Sequence, residues 1–239
     1  KRSLMKHLFT YGPVPVTETD RVPLKETEIG PVPGHWDVVR VDAVVEMRYG
    51  YRTSIPKTAP SDGIPIISTA EVLNEGRLDL SRIRTIEMPG HLVDRYTVRE
   101  GDILFNWRNA QEHVGKAAVV ESQPCTPTVF ASFLIRLRTN ERIRNRFLHY
   151  LLTYLRQKRV FFKLSRRAVN QANFNANELG ELMISLPPIE EQERVTQVLQ
   201  SADSKCQVEE RRKVALQALF KTMLHHLMTG KIRVKDLEI

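Results

Sequence analysis

Cysteine is scarce in this sequence. The two in 239 residues, Cys125 and Cys206, lie far apart and fit neither a zinc spacing nor a framework of bridges, so both are expected reduced. Long apolar runs are missing as well. No stretch approaches the roughly 18 apolar residues that mark a membrane span, and the opening "KRSLMKHLFTYGPVP" holds no signal-like apolar segment. These absences lead to the expectation of a soluble, cytoplasmic protein. Hydrophobic residues at 41% are enough to build a real core, so one globular domain with an appendage is expected.

Catalytic signatures are missing too. There is no Gly-rich phosphate or dinucleotide loop and no HExxH. "SLPPIE" comes nearest to an Asn/Asp-Pro-Pro-Tyr/Phe motif of amino methyltransferases, but Leu186 stands at the Asn/Asp position and Ile189 at the aromatic one. His225 and His226 are adjacent, so a helix sends them to diverging sides and they make poor joint metal ligands. Neither catalytic residues nor a metal site is expected.

What is plentiful is positive charge. Lys and Arg number 36 against 28 Asp and Glu, a formal net charge of +8. From Glu141 to Arg167 the chain carries Arg142, Arg144, Arg146, Arg156, Lys158, Arg159, Lys163, Arg166 and Arg167, with Glu141 the only acid. Folded onto one face, such a run suits phosphates, because released counterions drive binding. A solvated helix surface is the plainer reading.

Residues 13–35 carry five prolines (Pro13, Pro15, Pro23, Pro31, Pro33) and read as a linker after a helical opening at 1–12. From Trp36 to about Arg138 the segments "WDVVRV", "VVEMRYG", "IPIIS", "DILFNW", "KAAVVE" and "FLIRLR" read as short strands of a mixed, irregular sheet. Within "SFLIRLRT", Phe133, Ile135 and Leu137 alternate with Leu134, Arg136 and Arg138, predicting a half-buried strand with a partly basic outer face. Ile143, Phe147, Leu148, Leu151, Leu152 and Leu155 then form one helical stripe. "LPPIEEQERVTQVLQ…HHLMTG" predicts one helix of about 40 residues, with Pro188 in its first turn, Glu190, Glu191 and Glu193 favouring its positive end, and Gly230 ending it. Val195, Leu199, Ala202 and Cys206, then Leu216, Leu219, Phe220, Met223 and Leu227, form a seam interrupted by "EERRK"; it calls for a partner helix.

Three loops have the composition of DNA-reading segments. "RYGYR" sets Arg48, Tyr49, Tyr51 and Arg52 around a glycine after a strand, "NWRN" offers Trp107, Arg108 and Asn109, and "SRRAVNQANFN" offers Arg166, Arg167, Asn170 and Gln171. Arg suits guanine or phosphate, and Asn or Gln suits adenine. Packing and turn roles exist for each residue type as well. Together, beside the basic run, the loops favour duplex DNA.

"GHWDVVRVDAVVEMRYGY", "GDILFNWRN", "VGKAAVVE", "NQANFNANELGELMISLPPIEEQERV" and "LHHLMTGKIRV" resemble the specificity subunits of type I restriction-modification systems over nearly the whole chain. The resemblance implies an α+β fold: a mixed, irregular β-sheet target recognition domain at 36–186, with a long C-terminal coiled-coil-type α-helix at 187–232 as spacer and docking region. It implies sequence-specific reading of half a split site. No cofactor would be held by this chain; S-adenosylmethionine would sit on modification subunits, and ATP and Mg on restriction partners. Base or groove contacts would fall to Tyr49, Tyr51, Arg52, Trp107, Arg108, Asn109, Asn170 and Gln171, and phosphate contacts to Arg48, Arg166 and Arg167. Full-length family members hold two recognition domains and two antiparallel spacers. "KRSLMKHLFTYG" echoes "FKTMLHHLMTGKIRV", with His7 aligned to His226, so the chain is expected to be a half-subunit or C-terminal half whose two copies pair through the long helix. A helical scaffold binding only protein, or the DNA-reading subunit of a related fused restriction-methylation system, are the competing expectations.

Overall fold

The computed structural model describes residues 1–54, 62–110, 113–164, 166–168 and 171–229, and for 166–168 and 171–173 the backbone. Gly230 lies outside these. The strands are β1 (Leu24–Lys25), β2 (Val32–Pro33), β3 (Asp37–Arg40), β4 (Val45–Tyr49), β5 (Ile64–Ile67), β6 (Arg84–Ile86), β7 (Ile103–Asn106), β8 (Arg108–Asn109), β9 (Ala117–Val119), β10 (Val129–Phe130), β11 (Leu134–Thr139), β12 (Arg166–Ala168), β13 (Gln171–Asn173) and β14 (Met183–Leu186). The helices are α1 (Arg2–Tyr11), α2 (Gly90–Tyr96), α3 (Asn145–Gln157), α4 (Val160–Leu164), α5 (Ala176–Glu181) and α6 (Ile189–Met228). The fold is α+β with small irregular sheets and one long helix. Residues 2–196 form one compact unit; the second comprises Lys1 and the chain from Gln197 onward.

The centre of the larger unit is a four-stranded antiparallel sheet in the order β4-β11-β7-β9. Its inner strand β7 is buried along its length because the sheet is covered on both faces. One face packs a cluster of Ile67, Val72, Val98, Leu104, Ala118, Phe130 and Leu134, fed by a neighbouring sheet in the order β10-β5-β6. Against the other lie α3, through β9, and the mutually packed rings of Phe105, Phe161 and Phe174, with centroids 5.1–6.4 Å apart.

This two-sided burial corrects the reading of "SFLIRLRT". Phe133 precedes β11 and is 46% exposed, while Arg136 is buried at 4%. Arg136 donates to the Thr97 carbonyl at 3.1 Å, lies 5.6 Å over the Phe130 ring, and is pushed below the usual arginine range chiefly by desolvation. Arg138 makes a two-toothed pair with the buried Asp102 at 2.8 and 2.9 Å, which raises its pKa. Neither arginine forms a basic outer face.

The basic helix reads differently too. The stripe of α3 is buried at Phe147, Leu148, Leu151 and Leu152, and α1 seats Phe9 against it, stacked on Tyr154 at 5.1 Å and edge-on to Phe147. Arg144 bonds Glu193 at 2.9 Å, Arg146 pairs with Glu121, and Arg156 donates to the Asn74 side chain at 3.1 Å. Three arginines of the run thus have partners within the chain, at its surface. The proline-rich 13–35 stretch is also ordered, with a 3-10 turn at Val16–Arg21 and a β1–β2 pair; Pro33 is buried there at the end of a short edge strand, where a missing N–H is tolerated.

The "LPPIEEQ" segment is a latch. β14 runs antiparallel to β3, joining residues 183–186 to the start of the domain. The Pro188 carbonyl then receives the Glu191 and Gln192 N–H groups, so Pro188 caps α6 from just outside it. Gln192 is fully buried: its Oε1 accepts from the Arg144 N–H at 2.8 Å and its Nε2 donates to the Arg142 and Pro187 carbonyls at 2.9 Å. Glu191 accepts from the buried Trp36 indole at 2.9 Å and contacts His35 at 2.7 Å. α6 runs its expected 40 residues. Among the described residues no helix is long and apolar enough to cross a membrane.

Candidate nucleic-acid interface

The "RYGYR" loop is held by a close backbone approach. A Cβ on Gly50 would stand 2.2 Å from the Ala131 carbonyl oxygen, so only glycine fits. This lets the Gly50 N–H reach the Leu134 carbonyl at 3.1 Å and the Tyr51 N–H reach Phe130 at 2.8 Å. The loop is thereby bound to the 130–134 turn. Tyr49, 41% exposed, sets its ring edge-on to Trp107 at 5.2 Å, and its hydroxyl accepts from the Ala176 N–H at 2.8 Å.

"NWRN" sits directly alongside. The Trp107 indole donates to the Ser132 carbonyl at 2.7 Å, so it braces the same turn and its single donor is already used. Arg108 places its guanidinium 5.3 Å over the exposed Phe133 ring. β8 pairs through Asn109↔Ala172 and Arg108↔Asn173 with β13, bringing in the backbone of the third loop. Phe174, buried in the aromatic cluster, anchors that loop, and Asn175 ends it by capping α5 in a capping box with Glu178.

The structure thus gathers Tyr49, Trp107 and Arg108 and the backbone of Arg166, Arg167 and Gln171. Asn170 lies outside the described residues. Tyr51 turns the other way, edge-on to Tyr96 at 5.4 Å beside an apolar cluster, which gives it a packing role. Asn109 turns its Oδ1 to the Ala110 N–H at 2.8 Å. Arg52 is exposed. Arg48 is partly exposed, 3.6 Å from Glu46, with its Nε buried and without a hydrogen-bond partner.

Sequence reasoning missed Phe133 as a surface residue. Alternation placed it on an inner face, but a turn at 131–133, closed by the Leu134 N–H on the Ala131 carbonyl at 2.9 Å, precedes β11. Phe133, Arg108, Tyr49 and Trp107 form one aromatic and cationic surface. Such a surface can stack, touch a thymine methyl, and donate to guanine. Among the described residues no group of three or more His, Cys, Asp or Glu side chains is arranged to hold a metal ion.

Comparison with known proteins gives a consistent picture. Residues 33–218 match the model of the type I restriction modification DNA specificity domain. Two Methanocaldococcus jannaschii proteins are similar: the putative type I restriction enzyme MjaX specificity subunit, 33% identical over 184 residues (75% of this chain, 42% of that protein), and the type I restriction enzyme MjaVIII specificity subunit, 25% identical over 244 residues (99% and 54%). The chain spans about half the length of these relatives. In fold it is similar to the HsdS subunit from Thermoanaerobacter tengcongensis (TM-score 0.61, 21% identity, covering 98% of this chain and 51% of that one). A chain solved in work on assembly and conformational transition of the type I R-M system gives a TM-score of 0.64 at 20% identity, covering 99% and 53%.

Proposed function

The chain belongs to the family of type I restriction modification DNA specificity domains, and we propose that it reads one half of a split duplex DNA site and delivers that specificity to modification and restriction subunits. The observation that carries this is the convergence of Tyr49 and Trp107 with Arg108 and Phe133, from separate loops, on one partly exposed surface. The chain itself does no chemistry on this reading. S-adenosylmethionine belongs to the modification subunits, and ATP and Mg to the restriction partners.

The test is selection from a random duplex DNA pool by the chain with its modification subunit, at two salt concentrations. Enrichment of a defined motif at both salts supports the reading. Binding that merely weakens with salt and enriches no motif reduces the protein to phosphate attraction. No binding at either salt favours a protein-only scaffold.

A second part of the proposal concerns α6. Leu216, Leu219, Phe220 and Met223 are each 42–68% exposed, so two copies pair through this helix. Light scattering across micromolar concentrations checks it; a monomer throughout contradicts it.

A further inference from the structure

The reading loops leave the central sheet at one end, and a lysine outside those loops shares that end. Gly50, Leu134, Asn106 and Lys116 form a row across it: the Gly50 N–H bonds the Leu134 carbonyl at 3.1 Å, Leu134 pairs with Asn106, and the Asn106 N–H bonds the Lys116 carbonyl at 2.7 Å. Tyr49, Phe133 and Trp107 each adjoin one member of this row in sequence. Lys116 joins it at the start of β9, the edge strand. Two strand spacings, about 10 Å, separate Lys116 from Leu134. The major groove of DNA is about 12 Å wide, so a group that far to the side of a base-reading residue is level with the flanking phosphates.

Lys116 is partly buried, and among the described residues no hydrogen bond or ion pair engages its ammonium group. Burial first and the Arg156 guanidinium second hold it below the usual lysine range, against the pull of Glu75. Arg156 is partly buried too, and desolvation lowers it in the same way. It donates to the Asn74 carbonyl at 3.4 Å and to the Asn74 Oδ1 at 3.1 Å, bonds to a neutral side chain that fix the guanidinium without cancelling its charge. The fold fixes where the two cations meet. The His149 Nε2 bonds the Ala117 carbonyl at 3.1 Å, tying the residue after Lys116 to α3. A Cβ on Gly76 would stand 2.5 Å from that same Nε2, so the turn that carries Asn74 closes directly onto the helix. Holding two like charges together partly out of water costs stability, and an anion shared between them offsets that cost.

Resting on the DNA reading above, we propose that Lys116 and Arg156 clamp one backbone phosphate of the duplex beside the bases that the loops read. Arg156 brings a planar fork and Lys116 a compact point charge. Such a clamp sets the position of Tyr49, Trp107, Arg108 and Phe133 on the duplex and carries no sequence preference of its own.

K116M supplies the test, since it keeps the apolar stem and removes the charge. With the full chain and its modification subunit, affinity is measured across a salt series for the duplex that wild type enriches and for a scrambled duplex. K116M is expected to reduce the slope of log affinity against log salt by about 1 on both duplexes. The preference for the enriched duplex stays as in wild type, the urea midpoint does not fall, and K116R restores the slope. Phosphate-ethylation interference on the enriched duplex is expected to find one phosphate that matters to wild type and not to K116M. An unaltered slope on both duplexes, a slope lost together with the urea midpoint, or no such phosphate overturns the clamp. Failure of the base reading is separate: wild type then enriches no motif, and the slope on the scrambled duplex still decides the clamp. No binding to either duplex overturns both.

Discussion

Gly50 and Arg108 separate the two ways a residue can matter at this surface. A methyl group at Gly50 meets backbone, the Ala131 carbonyl, which has no flexible end to move aside. G50A is therefore expected to lower stability by about 1–3 kcal/mol, read by chemical denaturation, and to weaken DNA binding with it. Arg108 is partly exposed and rests on the ring of Phe133. R108A should cost about 1–3 kcal/mol against the cognate site and relax the preference at one base pair, a loss of discrimination that G50A does not single out. F133A should show the same reduced discrimination in binding titrations against matched and mismatched duplexes. An unchanged affinity in R108A would remove the "NWRN" loop from the interface.

At the scale of elements, periodicity and composition disclosed what depends on local order. The length of α6, the buried run of β7 and the stripe of α3 all follow from spacing. They did not disclose partners distant in sequence. Arg136 and Arg138 read as an outer face because nothing local indicates that Thr97 and Asp102 cover them. The arginines of the basic run read as free for the same reason, their acids at Glu121 and Glu193 being supplied by other segments. The "LPPIEEQ" motif was legible as a helix start, but its role as a latch needed the fold. Q192A should leave Arg142 and Pro187 carbonyls and the Arg144 N–H unpaired in a buried site, costing about 1–3 kcal/mol for the first unsatisfied group. The expected readout is a lower urea midpoint with DNA specificity retained; an unchanged midpoint would show that the latch contributes nothing to stability.

For the whole molecule, the net charge of +8 already counts Asp102, Glu193 and Glu121, the acids that pair with Arg138, Arg144 and Arg146, so attraction to DNA falls to the basic side chains beyond these pairs. Among the described residues of the basic run, Arg142, Arg144, Lys158, Arg159 and Lys163 are exposed on the surface, and Lys158 and Lys163 are its two lysines. K158E/K163E should reduce the slope of log affinity against log salt by about 1 for each phosphate no longer neutralised, without changing which motif is preferred. That separation of attraction from reading is the core of the account, and one measurement addresses it directly: selection from a random duplex pool by wild type and by R108A, each with the modification subunit at the same salt. The expected result is a defined motif for wild type and the same motif, degenerate at one position per half-site, for R108A. Identical motifs from both proteins, or no motif from wild type, would contradict it.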